Sequence, residues 1–339
     1  MSSIIEKRRL GIVITLALIL ISVFNPAVSA DPIKENSLKE NPVKENSTKQ
    51  KAVLVTGAST GIGRYLTEAL AKKGYHVYAG ARKDKDLKAL NAIENVQALQ
   101  LDVNKWDDIK AAVEVVRKEG RGLYAVVNNA GVAITAPLIE VEEEDLNFQF
   151  DVNIYGPYRI TKAFAPMIIE SKGRISIIGS IAGTLSNPLM GPYSMSKHAM
   201  EAYSDVLAKE MQKFGVQVSV VEPGNYDSAI GKSLVKRLKA KDKKFENSLY
   251  RENYQRILSG DGSRSQYKPP HEVVDAVIHA LFSDKPKHRY MVVPNAEEAS
   301  WTITQSMRKM IQQNHDQTYS YSREDLIKIM DSMLEEVKN

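Results

Sequence analysis

Residues 52–63 read Ala-Val-Leu-Val-Thr-Gly-Ala-Ser-Thr-Gly-Ile-Gly and form the first structural unit of this 339-residue chain. Residues 52–55 are a short apolar run, which is typical of a buried strand. A glycine-rich turn follows at 56–63, and Leu66, Ala69 and Leu70 continue at helical spacing until Gly74. A strand, a glycine turn and a helix in that order predict a dinucleotide site. Glycines allow close backbone approach, and a helix N-terminus presents free amides to a pyrophosphate.

The glycine turn supplies the first set of predicted cofactor contacts. Its spacing is GxxxGxG rather than the GxGxxG of many dinucleotide sites. Taken alone, the motif leaves open the alternative of a plain turn with no nucleotide role. The predicted contacts are Thr56, Gly57, Ser59, Thr60, Gly61, Ile62 and Gly63.

The end of the next strand, at residues 77–81, bears on which nicotinamide cofactor binds. Dinucleotide folds often place an acidic residue there for NAD, whereas an arginine accommodates the 2′-phosphate of NADP. Here Ala81 is followed by Arg82 and Lys83, and the first carboxylate, Asp84, comes later. The sequence therefore predicts that NADP is preferred and that NAD is possible. The alternative is that these basic residues only form a solvated loop.

Tyr193 and Lys197 stand four residues apart, which places a phenol and an ammonium on one helix face, one turn apart. A free tyrosine has a pKa near 10, and a nearby cation favours its phenolate form. We therefore expect Lys197 to lower the pKa of Tyr193, so that the phenol can exchange a proton near neutral pH.

With these residues in place, the chain resembles the short-chain dehydrogenase/reductase family over residues 51–294. Residues 56–63 look like the family's TGxxxGxG motif, residues 128–131 look like its NNAG segment, and residues 223–224 look like its PG turn. The order and spacing of the motifs make this resemblance far more specific than any single motif. The further cofactor contacts that it implies are Asp102, Val103, Asn129, Ala130, Gly131, Pro223 and Gly224, together with Tyr193 and Lys197.

The resemblance also implies the chemistry, which is reversible hydride transfer between a nicotinamide and a carbonyl or alcohol. Tyr193 would protonate the carbonyl oxygen, and Ser180, 13 positions earlier, would hold that oxygen by a hydrogen bond. Lys197 would bind the nicotinamide ribose. Asn153 would fix a water that relays protons from Lys197 to solvent. Negative charge develops on the oxygen in this reaction, so preorganised donors are expected there.

One motif departs from the family pattern. Many members carry a threonine a few residues after the PG turn, whereas this chain has Ser228, which would supply the hydroxyl to the nicotinamide carboxamide.

The resemblance to the carbonyl reductase and steroid–retinol dehydrogenase-like branch implies a lipophilic ketone, aldehyde, steroid- or retinoid-like substrate. The alternative function is an NADP-binding redox sensor without turnover, against which the complete catalytic set argues.

Strand-like and helical patterns alternate from residue 51 to about 293, which predicts the α/β class. We expect a single domain with a Rossmann-type, doubly wound parallel sheet and helices on both faces. The expected helices are 61–73, 107–118, 157–171, 193–214 and 270–282, and the last strand is 289–293.

Two segments extend the predicted catalytic domain of residues 51–294. Residues 226–268 are rich in lysine and arginine and correspond to the family's substrate lid. Their basic residues are interpreted as a solvated surface, or alternatively as an attraction for an anionic substrate or a membrane surface. Residues 295–339 form a predicted helical extension whose methionine and leucine stripes we expect to pack on the lid side as core.

The N-terminus has the pattern of an export signal. Lys7, Arg8 and Arg9 precede an apolar stretch at 10–24, and small residues end at Ala30. We expect residues 1–30 to be a cleaved signal peptide that sends the protein to the periplasm or out of the cell. The alternative is a retained membrane anchor through residues 10–24. Residues 31–50 repeat Lys-Glu-Asn and are expected to be a disordered linker.

The net charge and the composition restrict which classes of ligand and partner the sequence predicts. The net charge is +5 and nothing in the pattern suggests nucleic-acid binding. The chain has no cysteine, which excludes disulfides and thiolate metal sites, and no metal site is predicted. The expected partner is a small carbonyl or alcohol substrate. By family analogy we also expect a homodimer or homotetramer through helices 157–171 and 193–214, which a monomer in sedimentation would contradict.

Overall fold

A computed structural model describes residues 50–241 and 245–338, and seven strands within them form one sheet. The predicted signal peptide and nearly all of the predicted linker lie outside these residues. The strands are β1 (Ala52–Val55), β2 (His76–Ala81), β3 (Val96–Gln100), β4 (Ala125–Asn128), β5 (Arg174–Ile178), β6 (Gln217–Pro223) and β7 (Arg289–Val292).

All neighbouring strands run parallel, in the order β3-β2-β1-β4-β5-β6-β7. The chain proceeds from β1 outward to β2 and β3, then returns to β4 and proceeds the other way. The sheet therefore reverses its winding between β1 and β4, where Val55 lies opposite Val127. In doubly wound sheets a crevice opens at this point outside the carboxyl ends of the strands, and ligands bind there. The predicted Rossmann-type fold is confirmed.

The connections between the strands contain helices, and two further helices follow β7. They are α1 (Gly61–Lys72), α2 (Asp84–Asn91), α3 (Trp106–Glu119), α4 (Glu143–Phe150), α5 (Gly156–Glu170), α6 (Gly191–Gln212), α7 (Ile230–Lys239), α8 (Arg251–Leu258), α9 (His271–Phe282), α10 (Ala296–Asn314) and α11 (Arg323–Lys338). The five helices expected over the catalytic domain are present, and each end lies within two residues of its expected position. Helices α2 and α4 were not expected, because each is short and carries few apolar residues.

The strands are buried on both faces, as a parallel sheet requires. Leu54 of β1 packs into the core that is shared with α3, α5 and α6. Its neighbours Val53 and Val55 point the other way, into the core that is shared with α1, α2 and α9. All three side chains are fully buried. This two-sided burial explains why β1 is a continuous apolar run rather than an alternating one.

The C-terminal helices are placed differently from our expectation. The first turns of α10 pack on the sheet's carboxyl edge, where Glu298 and Thr302 are buried. Further along, Ile303, Met307 and Met310 are 51%, 45% and 40% exposed. The apolar stripe of α10 is therefore not core in the single chain, and the expectation for these three residues was wrong. No helix among the described residues is both long and apolar enough to span a bilayer.

Candidate active site

The turn after β1 forms a cradle that only glycine can build. Gly57 and Gly61 have φ of +65° and +53°, in the region that disfavours side chains. A Cβ on Gly63 would lie 2.4 Å from the carbonyl oxygen of Gly57, and one on Gly57 would lie 2.9 Å from the Cα of Ala130. The glycines thus allow α1 to begin directly against the turn, with its first amides facing the crevice.

The loop after β4 is fastened to this cradle by hydrogen bonds. The Thr56 hydroxyl accepts from the backbone amides of Asn129 and Ala130, both at 3.0 Å. The Asn129 side chain donates to the carbonyls of Thr56 and Gly57, at 2.9 and 3.2 Å. The two loops on either side of the reversal point are therefore held as one rigid floor.

A single cavity of about 620 Å³ opens above this floor. That volume lies within the range of small-ligand sites. The cavity is lined by every predicted site residue except Thr56 and Gly63, which lie beneath its surface and support it. The structure therefore brings together residues that the sequence separates by more than 170 positions.

One end of the cavity contains the side chains that follow β2 and β3. Arg82 is 54% exposed, and its guanidinium lies 3.9 Å from the carboxylate of Asp102. The other oxygen of Asp102 accepts from the backbone amide of Asn104 at 3.1 Å. Lys83 precedes the first turn of α2 and does not line the cavity, so its interpretation as a solvated residue fits the structure.

Ser180 and Tyr193 meet near the other end of the cavity. Ser180 follows β5 and begins a single 3₁₀ turn (Ile181–Gly183), where its hydroxyl accepts from the amide of Ala182 at 3.1 Å. Burial raises the pKa of Tyr193, while a hydrogen bond with Ser180 and the charge of Arg264 act in the opposite direction. The expected lowering of this pKa by Lys197 is not what the structure shows, because desolvation dominates.

Lys197 is 7% exposed, and its ammonium donates to the carbonyl of Ile178 at 2.8 Å. The nitrogen lies 5.7 Å from the centre of the Tyr193 ring. Burial lowers the pKa of Lys197 to about 8, and the charge of Glu201 opposes that change. The side chain is thus held beside the tyrosine with ammonium hydrogens left to donate to another acceptor.

Asn153 lies in one turn of π-helix (Asp151–Tyr155) between α4 and α5, a distortion that is frequent at functional sites. Its side-chain NH₂ donates to the Val132 carbonyl at 3.0 Å and to the Ser196 hydroxyl at 3.1 Å, and its oxygen accepts from the Val132 amide at 2.9 Å. Both amide hydrogens are therefore used within the protein. Asn153 thus holds the loop after β4 against α6, and the water-fixing role implied by the resemblance stays a prediction.

The turn after β6 is supported from the C-terminal extension. The carboxylate of Glu298 accepts from the backbone amide of Asn225 at 2.8 Å and from its side-chain amide at 3.1 Å. A Cβ on Gly224 would lie 2.2 Å from that carboxylate, so the contact requires glycine. Ser228, which we expected to replace a threonine, lines the cavity beside Gly61.

Comparison with known proteins assigns the chain to a family. Residues 51–239 match the family model described as short chain dehydrogenase. The chain belongs to the short-chain dehydrogenases. It is an NAD(P)-dependent oxidoreductase that interconverts carbonyl and alcohol groups.

Three relatives illustrate the likeness. The Uncharacterized oxidoreductase YbbO of Escherichia coli (strain K12) is 33% identical over 246 residues, which cover 72% of this chain and 86% of that protein. The mitochondrial D-beta-hydroxybutyrate dehydrogenase of Mus musculus is 33% identical over 260 residues, covering 71% and 76%. The structure of an alcohol dehydrogenase from Thermococcus sibiricus, complexed with 5-hydroxy-NADP, is 25% identical with a TM-score of 0.59, covering 72% and 96%.

The residues of this dehydrogenase fit a nicotinamide dinucleotide. The glycine cradle leaves no room for a Cβ at Gly63, the amides of α1 point into the crevice, and the cavity continues from there to Arg82 in one direction and Tyr193 in the other. Gly57, Thr60, Gly61 and the other residues of the turn after β1 would hold the pyrophosphate, whose charge suits a helix N-terminus.

Several residues around the dehydrogenase's cavity were not identified from the sequence as site residues. Gln149 is fully buried and bonds the Ile134 amide at 2.7 Å and the Ser196 hydroxyl at 3.3 Å, next to Asn153. The spacing of Gln149 and Asn153, four residues apart, was a signal that both amides lie on one helix face. No sequence pattern indicated that Glu298 contacts the turn after β6.

The lid also contributes charged side chains that we had interpreted mostly as solvated. Arg237 of α7 and Arg264 both line the cavity. Lys241 pairs with Asp145 of α4 at 2.6 Å. Arg264 donates to the Tyr226 carbonyl at 3.0 Å and, through a second nitrogen, to the Asn225 side chain at 2.8 Å. These contacts hold the described part of the lid over the cavity.

Glu201, one turn beyond Lys197 on α6, lies beside the buried Glu222 of β6, and this acidic pair gives a prediction for stability. Burial and the neighbouring Glu201 raise the pKa of Glu222 to about 7, although Arg289 contacts it at 2.7 Å. The folded state therefore retains a proton that the unfolded chain, with a pKa near 4.3, has lost. Stability from this group is present below about pH 4.3 and is lost as pH rises through 7.

We expect Glu222→Gln to remove this pH dependence. From pH 5 to pH 8 the variant should gain about 1–3 kcal/mol of unfolding free energy relative to the unmodified protein, because glutamine stays neutral. Urea unfolding at both pH values measures the difference. Glu210→Gln, at an exposed position of α6, is the matched control. A constant difference across pH would show that Glu222 is already ionised at pH 5.

Proposed function

We propose that this dehydrogenase is an NADPH-dependent reductase of lipophilic carbonyl compounds. The proposal rests on one observation: Ser180, Tyr193 and Lys197 line the same cavity as a set of apolar side chains. The wall around the catalytic set is largely apolar, as a lipophilic substrate requires. Its apolar members are Ile181, Leu185, Met190, Leu234 and Trp301.

In the proposed mechanism the carbonyl oxygen lies against the hydroxyls of Ser180 and Tyr193. Reduced nicotinamide would supply the hydride. Tyr193 donates its proton to the oxygen as negative charge develops there, and Ser180 stabilises that charge by a hydrogen bond. Because burial raises the pKa of Tyr193, the phenol stays protonated at neutral pH, which suits the direction of reduction. Lys197 would bind the nicotinamide ribose hydroxyls, and Asn153 keeps the loop after β4 against α6.

The proposed preference for NADP rests on the end of β2. Arg82 enters the cavity there, and the nearest carboxylate, Asp102, follows β3 rather than β2. An arginine at this position provides a planar, permanently charged donor for a 2′-phosphate. The ribose hydroxyls of NAD would lack the carboxylate partner that NAD-specific sites provide.

Oxidation of NADPH and NADH by the protein against a panel of ketones, aldehydes, steroids and retinoids tests the proposal. We expect turnover with at least one lipophilic carbonyl, and at least a tenfold lower Kd for NADPH than for NADH, since a charge-assisted hydrogen bond contributes about 1.5–3 kcal/mol. Equal affinity for the two cofactors would contradict the preference. Tight NADPH binding without turnover on any carbonyl would favour the alternative function, an NADP-binding redox sensor.

A second candidate substrate is a carbonyl compound that carries a carboxylate. The specific observation is Arg264, whose charge acts on Tyr193 and which has a further guanidinium nitrogen beyond the two that bind Tyr226 and Asn225. The relative from Mus musculus is named for a hydroxy acid, D-beta-hydroxybutyrate. The panel therefore includes 3-oxo acids with their methyl esters. If this candidate holds, the acids react faster and Arg264→Gln removes their advantage.

A further inference from the structure

Arg237 of the lid helix α7 enters the same cavity as Arg82, although 155 positions separate them in the sequence. The guanidinium of Arg237 lies over the ring of Phe148 of α4, 4.6 Å from the ring centre. One of its terminal nitrogens, Nη1, is buried and has no hydrogen-bond partner among the described residues. A buried, unpaired donor is costly, so this nitrogen needs an acceptor.

The surrounding charges point to an anion. Burial and the charge of Arg82 both lower the pKa of Arg237, while the charge of Asp145 acts in the opposite direction. Asp145 is already paired with Lys241 at 2.6 Å, and Asp102 lies 3.9 Å from Arg82. Among the described residues that line the cavity, Asp102 is the one carboxylate, whereas Arg82 and Arg237 are both cations. Such an arrangement favours a ligand that carries more than one negative charge.

We propose that Arg237 and Arg82 hold the 2′-phosphate of NADP between them, so that this phosphate fastens the lid over the cofactor. The inference rests on the NADP binding proposed above and adds a contact from α7. A phosphate dianion offers three oxygens, and a small rotation of the Arg237 guanidinium would bring its free nitrogen to one of them while Arg82 binds from the sheet side. The ring of Phe148 fixes the guanidinium from below and leaves its edge to the phosphate.

The contact gives the 2′-phosphate a second effect besides affinity. The lid already contacts the region around α4 through Lys241 and through Ser248 and Leu249, which bond Glu140. An additional contact between Arg237 and the 2′-phosphate, which forms only with NADP, would make the lid's closed state depend on which cofactor binds. NAD, which lacks the phosphate, would leave Arg237 facing Arg82 and the lid less firmly closed.

Cofactor binding by the full-length protein tests the proposal without measuring turnover. Arg237→Gln should weaken NADP⁺ binding about 10- to 100-fold and change NAD⁺ binding by less than about threefold. Adenosine 2′,5′-bisphosphate should lose affinity in parallel with NADP⁺. Lys236→Gln, which removes a charge from an exposed neighbouring position of α7, should leave all three ligands unaffected. Arg237→Lys should lie between the two variants, because lysine retains the charge but not the planar fork.

Limited proteolysis measures whether the 2′-phosphate of NADP holds the lid closed. Chymotrypsin can cut the lid at Leu249, whose side chain is 83% exposed. NADP⁺ at saturation should slow this cleavage more than saturating NAD⁺ does, and Arg237→Gln should remove the difference. The variant's urea unfolding midpoint, compared with that of Lys236→Gln, shows whether it is folded.

Each other outcome overturns the proposal in a different way. Equal loss of NADP⁺ and NAD⁺ affinity would mean that Arg237 contacts a part that both cofactors share, such as the adenine ring. Unchanged NADP⁺ affinity would mean that it contacts neither. Failure of the unmodified protein to prefer NADP⁺ would contradict the proposed function itself, which separates that failure from a wrong role for Arg237.

Discussion

Tyr193→Phe is expected to reduce carbonyl reduction by roughly 100- to 10,000-fold, the usual contribution of a positioned general acid. Phenylalanine keeps the ring, so packing in α6 is preserved, but it removes the hydroxyl whose pKa the Ser180 side chain lowers. The proton donor is lost and the carbonyl oxygen keeps one of its two donors. NADPH affinity should change less than threefold, because Lys197 and the glycine cradle remain.

Steady-state kcat/KM on the best carbonyl from the panel, together with the Kd for NADPH, measures both effects. Tyr203→Phe is the matched control. Tyr203 lies on the same helix, is partly buried and does not line the cavity. That variant should retain turnover. If Tyr193→Phe retains turnover as well, the assignment of Tyr193 as the acid is wrong, whatever the cofactor.

The features predictable from the sequence are those that neighbouring residues encode. The β1–turn–α1 unit is specified by a contiguous apolar run, three glycines and a helical period. The pairing of Tyr193 with Lys197 follows from helical geometry alone. The parallel direction of the strands follows from the alternation of strand and helix patterns, because parallel neighbours need a crossover connection. For these features the local signal and the tertiary structure agree.

The features that were not predictable depend on contacts between distant segments. Glu298 reaches Asn225 across 73 positions, and Arg237 reaches the cavity from a segment whose charges look solvated. The pKa of Tyr193 could not be obtained from helix spacing, because spacing gives the neighbouring cation but not the desolvation that outweighs it. The expectation that the apolar stripe of α10 is core was wrong for the same reason, because periodicity identifies an apolar face but not what covers it.

The second large effect is expected for Glu298→Ala, although this residue lies outside the segment that matches the family model. Its carboxylate is 4% exposed and receives the backbone and side-chain amides of Asn225. Asn225 in turn holds Arg264 at 2.8 Å, and the charge of Arg264 acts on Tyr193, the proposed acid. Removing the carboxylate leaves a buried amide unpaired, which should lower the unfolding free energy by about 1.5–3 kcal/mol. It should also free the turn after β6, which lines the cavity.

We therefore expect kcat/KM to fall about 10- to 100-fold in Glu298→Ala, in proportion to the charge-assisted hydrogen bonds that are lost. Glu297→Ala is the control, because Glu297 lies in the same first turn of α10 and is exposed. Glu298→Gln should recover only part of the activity, because its NH₂ group cannot accept a hydrogen bond. If Glu298→Ala loses stability but keeps full kcat/KM, α10 only anchors the tail. If kcat/KM falls while Glu297→Ala is normal, the C-terminal helix is a working part of the active site, and removing residues 295–339 should inactivate the enzyme even though the catalytic set remains.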